Sequence, residues 1–300
     1  MLHSFFTHVF WHGGGYELIY LPIFLSVFFF STGYLFKPCD FKSELLYVFR
    51  HLVIPLVSLG TINAVISFVV EGEAIIPRMT KLLLQTSGNR DDMWFIACLT
   101  SAHILFWLVH KVVRDKKIEL LLTTLIISLL GGYYAVFIGF ALPWKFQRAL
   151  GYLIFMGAGY VYRRTEKQID KYFDKRIVVM LGLIYFLSCI TYGGKFFGDS
   201  LGDICISAVG ICFIIMISKY IHDNKILVFI GQNTLVYYAF QSKVIKVLEL
   251  FAGKAGVSTT SVFCGIVVSI LTIVALAVPA FVFNKCFPFM LGRRSTHLVS

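Results

Sequence analysis

The chain has 300 residues, of which 58% are hydrophobic and only 14% are charged. A soluble domain carries roughly 25% charged residues, because a water-soluble protein needs a sizeable polar surface. The composition therefore excludes an ordinary soluble protein and indicates an integral membrane protein. The net charge of +11 does not indicate nucleic-acid binding, because the basic residues lie in short segments between apolar runs, where membrane proteins carry cytoplasmic Lys and Arg.

Nine apolar runs follow one another along the chain. A helix needs about 20 apolar residues to cross the hydrocarbon core of a bilayer. The runs are approximately 17–36, 51–70, 93–110, 118–140, 147–162, 177–193, 201–218, 226–241 and 259–283. They predict an all-α fold, a polytopic transmembrane helix bundle with about nine spanning helices. Because no separate soluble domain stands out, residues 1–300 are predicted to form a single transmembrane domain.

The basic residues are distributed unevenly between the two sets of loops. The loop after the first run and every second loop after it hold 18 of the 27 Lys and Arg residues, and the other set holds nine. Because Lys and Arg accumulate in cytoplasmic loops, this bias predicts a cytoplasmic C-terminus. Nine crossings then place the N-terminus outside, and a tenth helix before residue 1 would return it to the cytoplasm.

Two groups of polar residues are candidates for chemistry at the helix ends. His3 lies on the predicted outer side, where a neutral imidazole could act as a general base on a hydroxyl; the alternative is an interfacial histidine without a role. Lys37, Lys42 and Arg50 form a basic rim on the predicted cytoplasmic side. They could bind the phosphates of a nucleotide-like donor, or they could simply anchor the chain to lipid headgroups.

Two further polar positions interrupt apolar surroundings. Asn233 lies with Gln232 in the middle of the eighth run, where an amide must find a partner or line a polar cavity. Arg148 follows Trp144 at the start of the fifth run, a pattern that is also typical of the interfacial belt. The sequence contains no zinc-ligand spacing and no phosphate-binding loop, so no metal site is predicted.

Five segments, taken together and in order, are similar to those of one family. They are SVFFFSTGYLF (26–36), FRHLVIPL (49–56), DDMWFIACL (91–99), LPWKFQRALGYLIFMGAGYVYRR (142–164) and FIGQNTLVYYAFQ (229–241). They resemble the segments of the acyltransferase-3 membrane O-acyltransferases, and the resemblance covers nearly the whole chain. In this family a His late in the first helix, preceded by an Arg in the same helix, is the suspected catalytic pair. The chain departs from the pattern because that Arg has no counterpart and because Gln241 replaces a His.

The resemblance implies transfer of an acyl group, usually acetyl, from cytoplasmic acyl-CoA to a sugar hydroxyl. The acceptor would be a surface polysaccharide or its lipid-linked precursor, and the membrane would be a bacterial inner membrane. His3 would deprotonate the acceptor hydroxyl, and Lys37, Lys42 and Arg50 would bind the phosphates of the donor. Asn233 or Arg148 would stabilise the oxyanion.

Two other functions remain open from the sequence. A transporter or flippase for a lipid-linked saccharide would move its substrate without acyl-CoA, although the near absence of intramembrane carboxylates disfavours ion coupling. A truncated, inactive relative that lacks most of the first helix would fold without binding acyl-CoA.

Overall fold

A computed structural model of the protein describes residues 17–85, 93–137, 142–172, 174–192, 201–221, 224–254 and 262–293. Every regular element within these ranges is a helix, which confirms the predicted all-α, polytopic fold class. His3 lies outside the described residues.

Each of the nine predicted runs is mainly helical over the residues that the structure describes. The helices are α1 (Glu17–Leu35), α2 (Phe41–Val48), a π-helix (Phe49–Val53), α3 (Ile54–Glu71), α4 (Ile75–Leu84), α5 (Trp94–Val113), α6 (Lys117–Phe137), α7 (Phe146–Gly151), α8 (Leu153–Ile169), α9 (Lys175–Tyr192), α10 (Leu201–Tyr220), α11 (Lys225–Gln232), α12 (Thr234–Lys254) and α13 (Val262–Cys286). Short 3-10 helices cover Pro143–Lys145, Asp170–Tyr172 and Pro288–Leu291.

Five helical stretches within the described residues are long and apolar enough to cross a membrane. They are Phe41–Glu71, Trp94–Val113, Lys117–Tyr134, Leu201–Tyr220 and Cys264–Cys286. Only 28–44% of the residues in their most apolar windows are buried inside the protein. Most of these apolar side chains therefore face outward, as they do when lipid is the solvent. Helices suit that environment because each satisfies its backbone hydrogen bonds internally.

The chain separates into two compact units. Unit 1 comprises Met1–Gly14, Leu46–Ala97 and Asn224–Ser300, and unit 2 comprises Gly15–Leu45 and Cys98–Asp223. α2 and α5 each begin in one unit and end in the other. The prediction that residues 1–300 form one domain stays a prediction.

In unit 2, α1 and α8 are in direct backbone contact. A Cβ atom built on Gly33 would lie 2.0 Å from the Met156 carbonyl oxygen, and one on Gly159 would lie 2.0 Å from the Phe30 carbonyl oxygen. Only glycine fits at both positions, as in other close membrane-helix pairs. The stacked rings of Phe29 and Tyr152, with centroids 4.6 Å apart, fill the same seam.

Pro22, which lies inside α1, links α1 to α10 in unit 2. The Pro22 carbonyl oxygen accepts hydrogen bonds from Ser26 Oγ and from Ser207 Oγ, both at 2.6 Å. Serine hydroxyls are common partners for carbonyls near a proline in a membrane helix.

In unit 1, side chains hydrogen-bond to the backbones of neighbouring helices. Asn63 Nδ2 on α3 donates to the Ala239 carbonyl on α12 at 3.1 Å. Tyr237 OH on α12 donates to the Ile273 carbonyl on α13 at 3.2 Å. These bonds satisfy polar groups that would otherwise be costly in an apolar environment.

Three predicted runs differ from the helices in their ends or continuity. The second predicted run starts at 51, whereas the helical stretch starts at Phe41. The polar residues in the first turns of this stretch do not prevent helix formation. Pro55 cannot donate an N–H, and just before it the Ile54 N–H bonds to the Phe49 carbonyl, five residues back, as in a π-helix. The short fifth and eighth runs are broken at Tyr152 and Asn233, respectively.

Candidate functional site

Unit 2 contains a cavity of about 500 Å³ between the α1–α2 connection and the C-terminal end of α5. Its lining residues are Pro38, Cys39, Asp40, Phe41, Trp107, His110, Lys111, Arg114 and Asp115. The volume lies within the range of small-molecule sites, about 300–1,000 Å³. The cavity is at the end of α5 that the charge bias assigns to the cytoplasm.

One wall of the cavity is aromatic and cationic. The rings of Phe41 and Trp107 have centroids 5.3 Å apart. Lys111 Nζ lies 4.8 Å from the centroid of the Trp107 ring. Aromatic faces accept a flat heterocycle, and neighbouring ammonium and guanidinium groups bind phosphates. Lys111 and Arg114 are both exposed and can reach such a ligand.

The lining residues His110 and Asp115 belong to a hydrogen-bonded network with Tyr160 and Arg164. Tyr160 OH lies 2.7 Å from His110 Nε2 and donates to Asp115 Oδ1 at 3.0 Å. Arg164 Nη1 contacts the same carboxylate oxygen at 2.6 Å. The Tyr160 hydrogen bond and the Arg164 guanidinium hold the pKa of the Asp115 carboxyl below its usual range. Asp115 is thus a fixed anion that orients Arg164 and Tyr160.

A buried pair of side chains, Glu44 and His103, connects to the lining residue Cys39. His103 Nδ1 lies 2.6 Å from Glu44 Oε1, and both side chains are almost fully buried. The other oxygen of Glu44 accepts a hydrogen bond from Cys39 Sγ at 3.2 Å. The Cys39 carbonyl accepts a hydrogen bond from Trp107 Nε1 at 3.0 Å. These contacts fix the α1–α2 connection against α5.

The environment of Cys39 makes it an unreactive thiol. Cys39 is an exposed residue, but partial burial of its thiol, together with the hydrogen bond to Glu44, raises the pKa of that thiol to about 11. The thiolate is the nucleophilic form, so a thiol with this pKa is a poor nucleophile near neutral pH. Cys39 lines the cavity. Its thiol is protonated near neutral pH and is therefore unsuited to carry the acyl group covalently.

The predicted donor-binding residues fall in both units. Lys37 and Lys42 are exposed and flank the lining segment 38–41 in unit 2. Arg50 lies in the π-helix of unit 1, where its Nε donates to the Gly292 carbonyl at 3.1 Å. The prediction that these three residues bind the donor together stays a prediction.

Arg148, one of the two predicted oxyanion donors, lies on α7 in unit 2. Its charge and that of Lys145 both act on the fully buried Cys98 thiol. Lys145 is buried. The backbones of Lys145 and Trp144 adopt left-handed conformations, with φ of 53° and 56°, respectively. Ser101 Oγ donates to the Trp144 carbonyl at 3.0 Å and holds this strained turn.

Asn233, the other predicted oxyanion donor, lies at the α11–α12 break in unit 1. Its Nδ2 donates to the Phe229 carbonyl at 2.8 Å, and its Oδ1 accepts from Asn284 on α13. The side-chain amide of Asn233 is therefore already hydrogen-bonded to α11 and to α13. A role for Asn233 at an oxyanion stays a prediction.

Among the cavity residues that were not predicted from the sequence, four share one face of α5 and its C-terminal end. They are Trp107, His110, Lys111 and Arg114. The spacing i, i+3, i+4 and i+7 places residues on one face of a helix, so their alignment was readable from the sequence. The missing information was the partner surface, which comes from the α1–α2 connection.

The fold defines an integral membrane protein that carries a ligand-sized cavity beside the end of a spanning helix. A family model described as an acyltransferase domain matches residues 1–278. The chain belongs to the acyltransferase-3 family and is a membrane O-acyltransferase. Comparison with curated proteins and with solved structures gave no match.

Proposed function

We propose that the protein transfers an acyl group, acetyl in the usual case, from cytoplasmic acyl-CoA to a sugar hydroxyl. The acceptor is a surface polysaccharide or its lipid-linked precursor. The enzyme works in a bacterial inner membrane with its C-terminus in the cytoplasm. Family membership supports the reaction class, and the bias of basic residues supports the orientation.

The cavity of unit 2 is the observation that carries the proposal for the donor. CoA combines a flat adenine ring with several phosphates, and the cavity combines the Phe41–Trp107 wall with Lys111 and Arg114. Lys37 and Lys42 add positive charge beside the same segment. Aromatic stacking and charge-assisted hydrogen bonds are together suited to such a ligand.

The chemistry is a direct acyl transfer. His3 removes the proton from the acceptor hydroxyl, and the hydroxyl oxygen attacks the thioester carbonyl carbon. Arg148 or Asn233 stabilises the negative charge that develops on the carbonyl oxygen. The C–S bond breaks, and CoA takes up the proton and leaves as the free thiol. The raised pKa of Cys39 argues against an acyl-cysteine intermediate at this cavity.

Labelled acetyl-CoA tests the proposal. The purified protein in liposomes is incubated with [14C]acetyl-CoA and a mixed glycan extract from its host, and label in the glycan is measured. We expect transfer by the wild type and its loss, by at least about a hundredfold, in His3→Ala, because general-base catalysis contributes about 10²–10⁴-fold. His8→Ala, which removes a neighbouring histidine, is the matched control and retains transfer.

Two results would contradict the proposal. Equal transfer by the wild type and His3→Ala removes the role of His3. Movement of a lipid-linked saccharide across the liposome membrane, with no label transferred and no need for acyl-CoA, favours a flippase.

A further inference from the structure

The Arg293 guanidinium joins three elements of unit 1. Arg293 follows the 3-10 helix Pro288–Leu291 and donates to the side chain of Asn284 on α13 and to the Gln232 carbonyl at the end of α11. Asn284 in turn donates to the side chain of Asn233. Arg293 and Asn284 both lie beyond residue 278, where the family match ends.

Arg50 reaches the same turn from the π-helix. Its Nε donates to the Gly292 carbonyl at 3.1 Å. Gly292 has a φ of +70°, and a Cβ atom there would lie 2.2 Å from the Arg50 carbonyl oxygen. Ser58 Oγ also donates to the Met290 carbonyl at 2.9 Å. The turn is therefore held tightly against the residues around Arg50, and π-helical segments such as 49–53 are frequent at functional sites.

Among the described residues, the groups that anchor both guanidiniums are neutral. The bond to Gly292 uses the Nε–H of Arg50, so within the described part of the chain both Nη groups of Arg50 remain for a ligand. The acceptors of Arg293 are a backbone carbonyl oxygen and a side-chain amide oxygen. Among the described residues neither arginine forms a salt bridge, whereas Arg78, Arg164 and Lys243 each do. Two such charges at a membrane edge favour the binding of an anion. The planar guanidinium of Arg can donate two parallel hydrogen bonds to a phosphate group.

We propose that Arg50 and Arg293 together bind a phosphate group on the face of unit 1 that the charge bias assigns to the cytoplasm. Arg50 is half-buried and Arg293 is exposed, so a ligand can approach them from solution or from the headgroup layer. The phosphate belongs either to the acyl-CoA donor, in which case the assignment rests on the proposed function, or to an anionic lipid headgroup. Arg293 is then a binding residue that the family pattern does not include.

The test measures two phosphate probes on the full chain. Wild type, Arg293→Gln, Arg50→Gln and Lys285→Gln are reconstituted in nanodiscs. CoA is titrated by calorimetry in nanodiscs of phosphatidylcholine, and retention of phosphatidylglycerol is measured by native mass spectrometry in mixed nanodiscs. Lys285→Gln is the matched control, because it removes one exposed positive charge near the same end of α13. Arg50→Gln leaves the Arg293 contacts in place, so it remains informative if Arg293→Gln unfolds.

We expect both arginine variants to weaken at least one probe by about tenfold, which is the effect of losing roughly one charge-assisted hydrogen bond. Lys285→Gln should change neither probe by more than about twofold. Loss of CoA affinity assigns the site to the donor, and loss of phosphatidylglycerol retention alone assigns it to lipid.

Folded arginine variants that bind both probes like the wild type would overturn the phosphate site. If the wild type does not bind CoA at all, the donor proposal fails, while the phosphatidylglycerol measurement still decides the phosphate site. If CoA binds and neither arginine matters to either probe, the donor proposal stands and the phosphate site is wrong.

Discussion

The two units differ in their closest helix contacts, although side-chain hydrogen bonds connect helices in both. In unit 2, glycines bring the backbones of α1 and α8 into contact, and aromatic rings fill the remaining space. In unit 1, amides and charged groups connect the helices, as at Asn63 and at the Lys243–Glu71 ion pair. Where two helix backbones are in close contact, an added side chain has no space. A polar link between helices is instead lost when either of its two partners is replaced. The unit with the close-packed seam is the one that contains the cavity.

The largest effect is expected at the glycine seam of unit 2. Gly159→Ala places a methyl group 2.0 Å from the Phe30 carbonyl oxygen, and neither backbone can move without separating the helices. Overpacking costs about 1–3 kcal/mol and occasionally more, and we expect a loss of about 3 kcal/mol or more. Thermal unfolding in detergent, followed by circular dichroism, measures it.

Gly253→Ala on α12 of unit 1 is the matched control. A Cβ atom there meets nothing within 4 Å, so the variant should be neutral or more stable by about 0.5–1 kcal/mol. If Gly159→Ala is as stable as Gly253→Ala, α1 and α8 are not in backbone contact and the contrast between the units disappears.

The next effect concerns thiol reactivity at the cavity. Because its pKa is raised to about 11, Cys39 is almost entirely protonated at pH 8, and its thiolate fraction rises about tenfold per pH unit up to the pKa. Alkylation by iodoacetamide at pH 8 should be on the order of a hundredfold slower than that of glutathione, whose thiol resembles an unperturbed one. Peptide mass spectrometry after timed labelling resolves Cys39 from the other cysteines.

Glu44→Gln removes the carboxylate that accepts the Cys39 hydrogen bond, and labelling at pH 8 should accelerate. Asp40→Asn, which removes a nearby exposed carboxylate without this bond, is the control and should have a smaller effect. Wild-type Cys39 that reacts within tenfold of glutathione at pH 8 would contradict the described environment of the cavity wall.

A smaller effect is expected for the ion pairs of unit 1. Glu71 accepts from Lys243 and Lys246, both at 2.9 Å, and the Lys243 side chain is only 13% exposed. Glu71→Gln keeps one acceptor oxygen but leaves a partly buried ammonium without its counter-charge, at a cost of about 1–2 kcal/mol. Thermal unfolding measures the loss.

The control is Glu119→Gln in unit 2, which breaks the exposed Lys116–Glu119 pair. An exposed pair contributes little, so the change should stay under about 0.5 kcal/mol. Equal stability of both variants would show that unit 1 does not depend on its charged links.

Much of the fold was predictable from the sequence, because hydropathy alone locates helices in a membrane protein. The breaks at Tyr152 and Asn233 were not predicted, since an apolar run gives no sign of where its backbone hydrogen bonds change partners. The early start of the helix at Phe41 was missed for a related reason. A hydropathy window records the polarity of Lys42 and Glu44, whereas helix formation depends on the backbone.

The candidate site was less predictable than the fold. The sequence singled out Lys37 and Lys42, which flank a cavity segment, because basic residues at helix ends are visible as a charge pattern. The hydrogen bond between Trp107 and the Cys39 carbonyl depends on pairing between segments 68 residues apart, which one sequence does not specify. The network around Arg293 likewise requires residues 232, 284 and 293 to meet.

The most direct test of the account is CoA binding at the cavity of unit 2. CoA is titrated into the purified protein in phosphatidylcholine nanodiscs for wild type, Lys111→Gln, Arg114→Gln and Lys171→Gln, the last being an exposed control away from the cavity. The account predicts that each cavity variant raises Kd by about tenfold, corresponding to roughly 1.4 kcal/mol, while the control stays within about twofold. Cavity variants that fold and bind CoA as tightly as the wild type would contradict it.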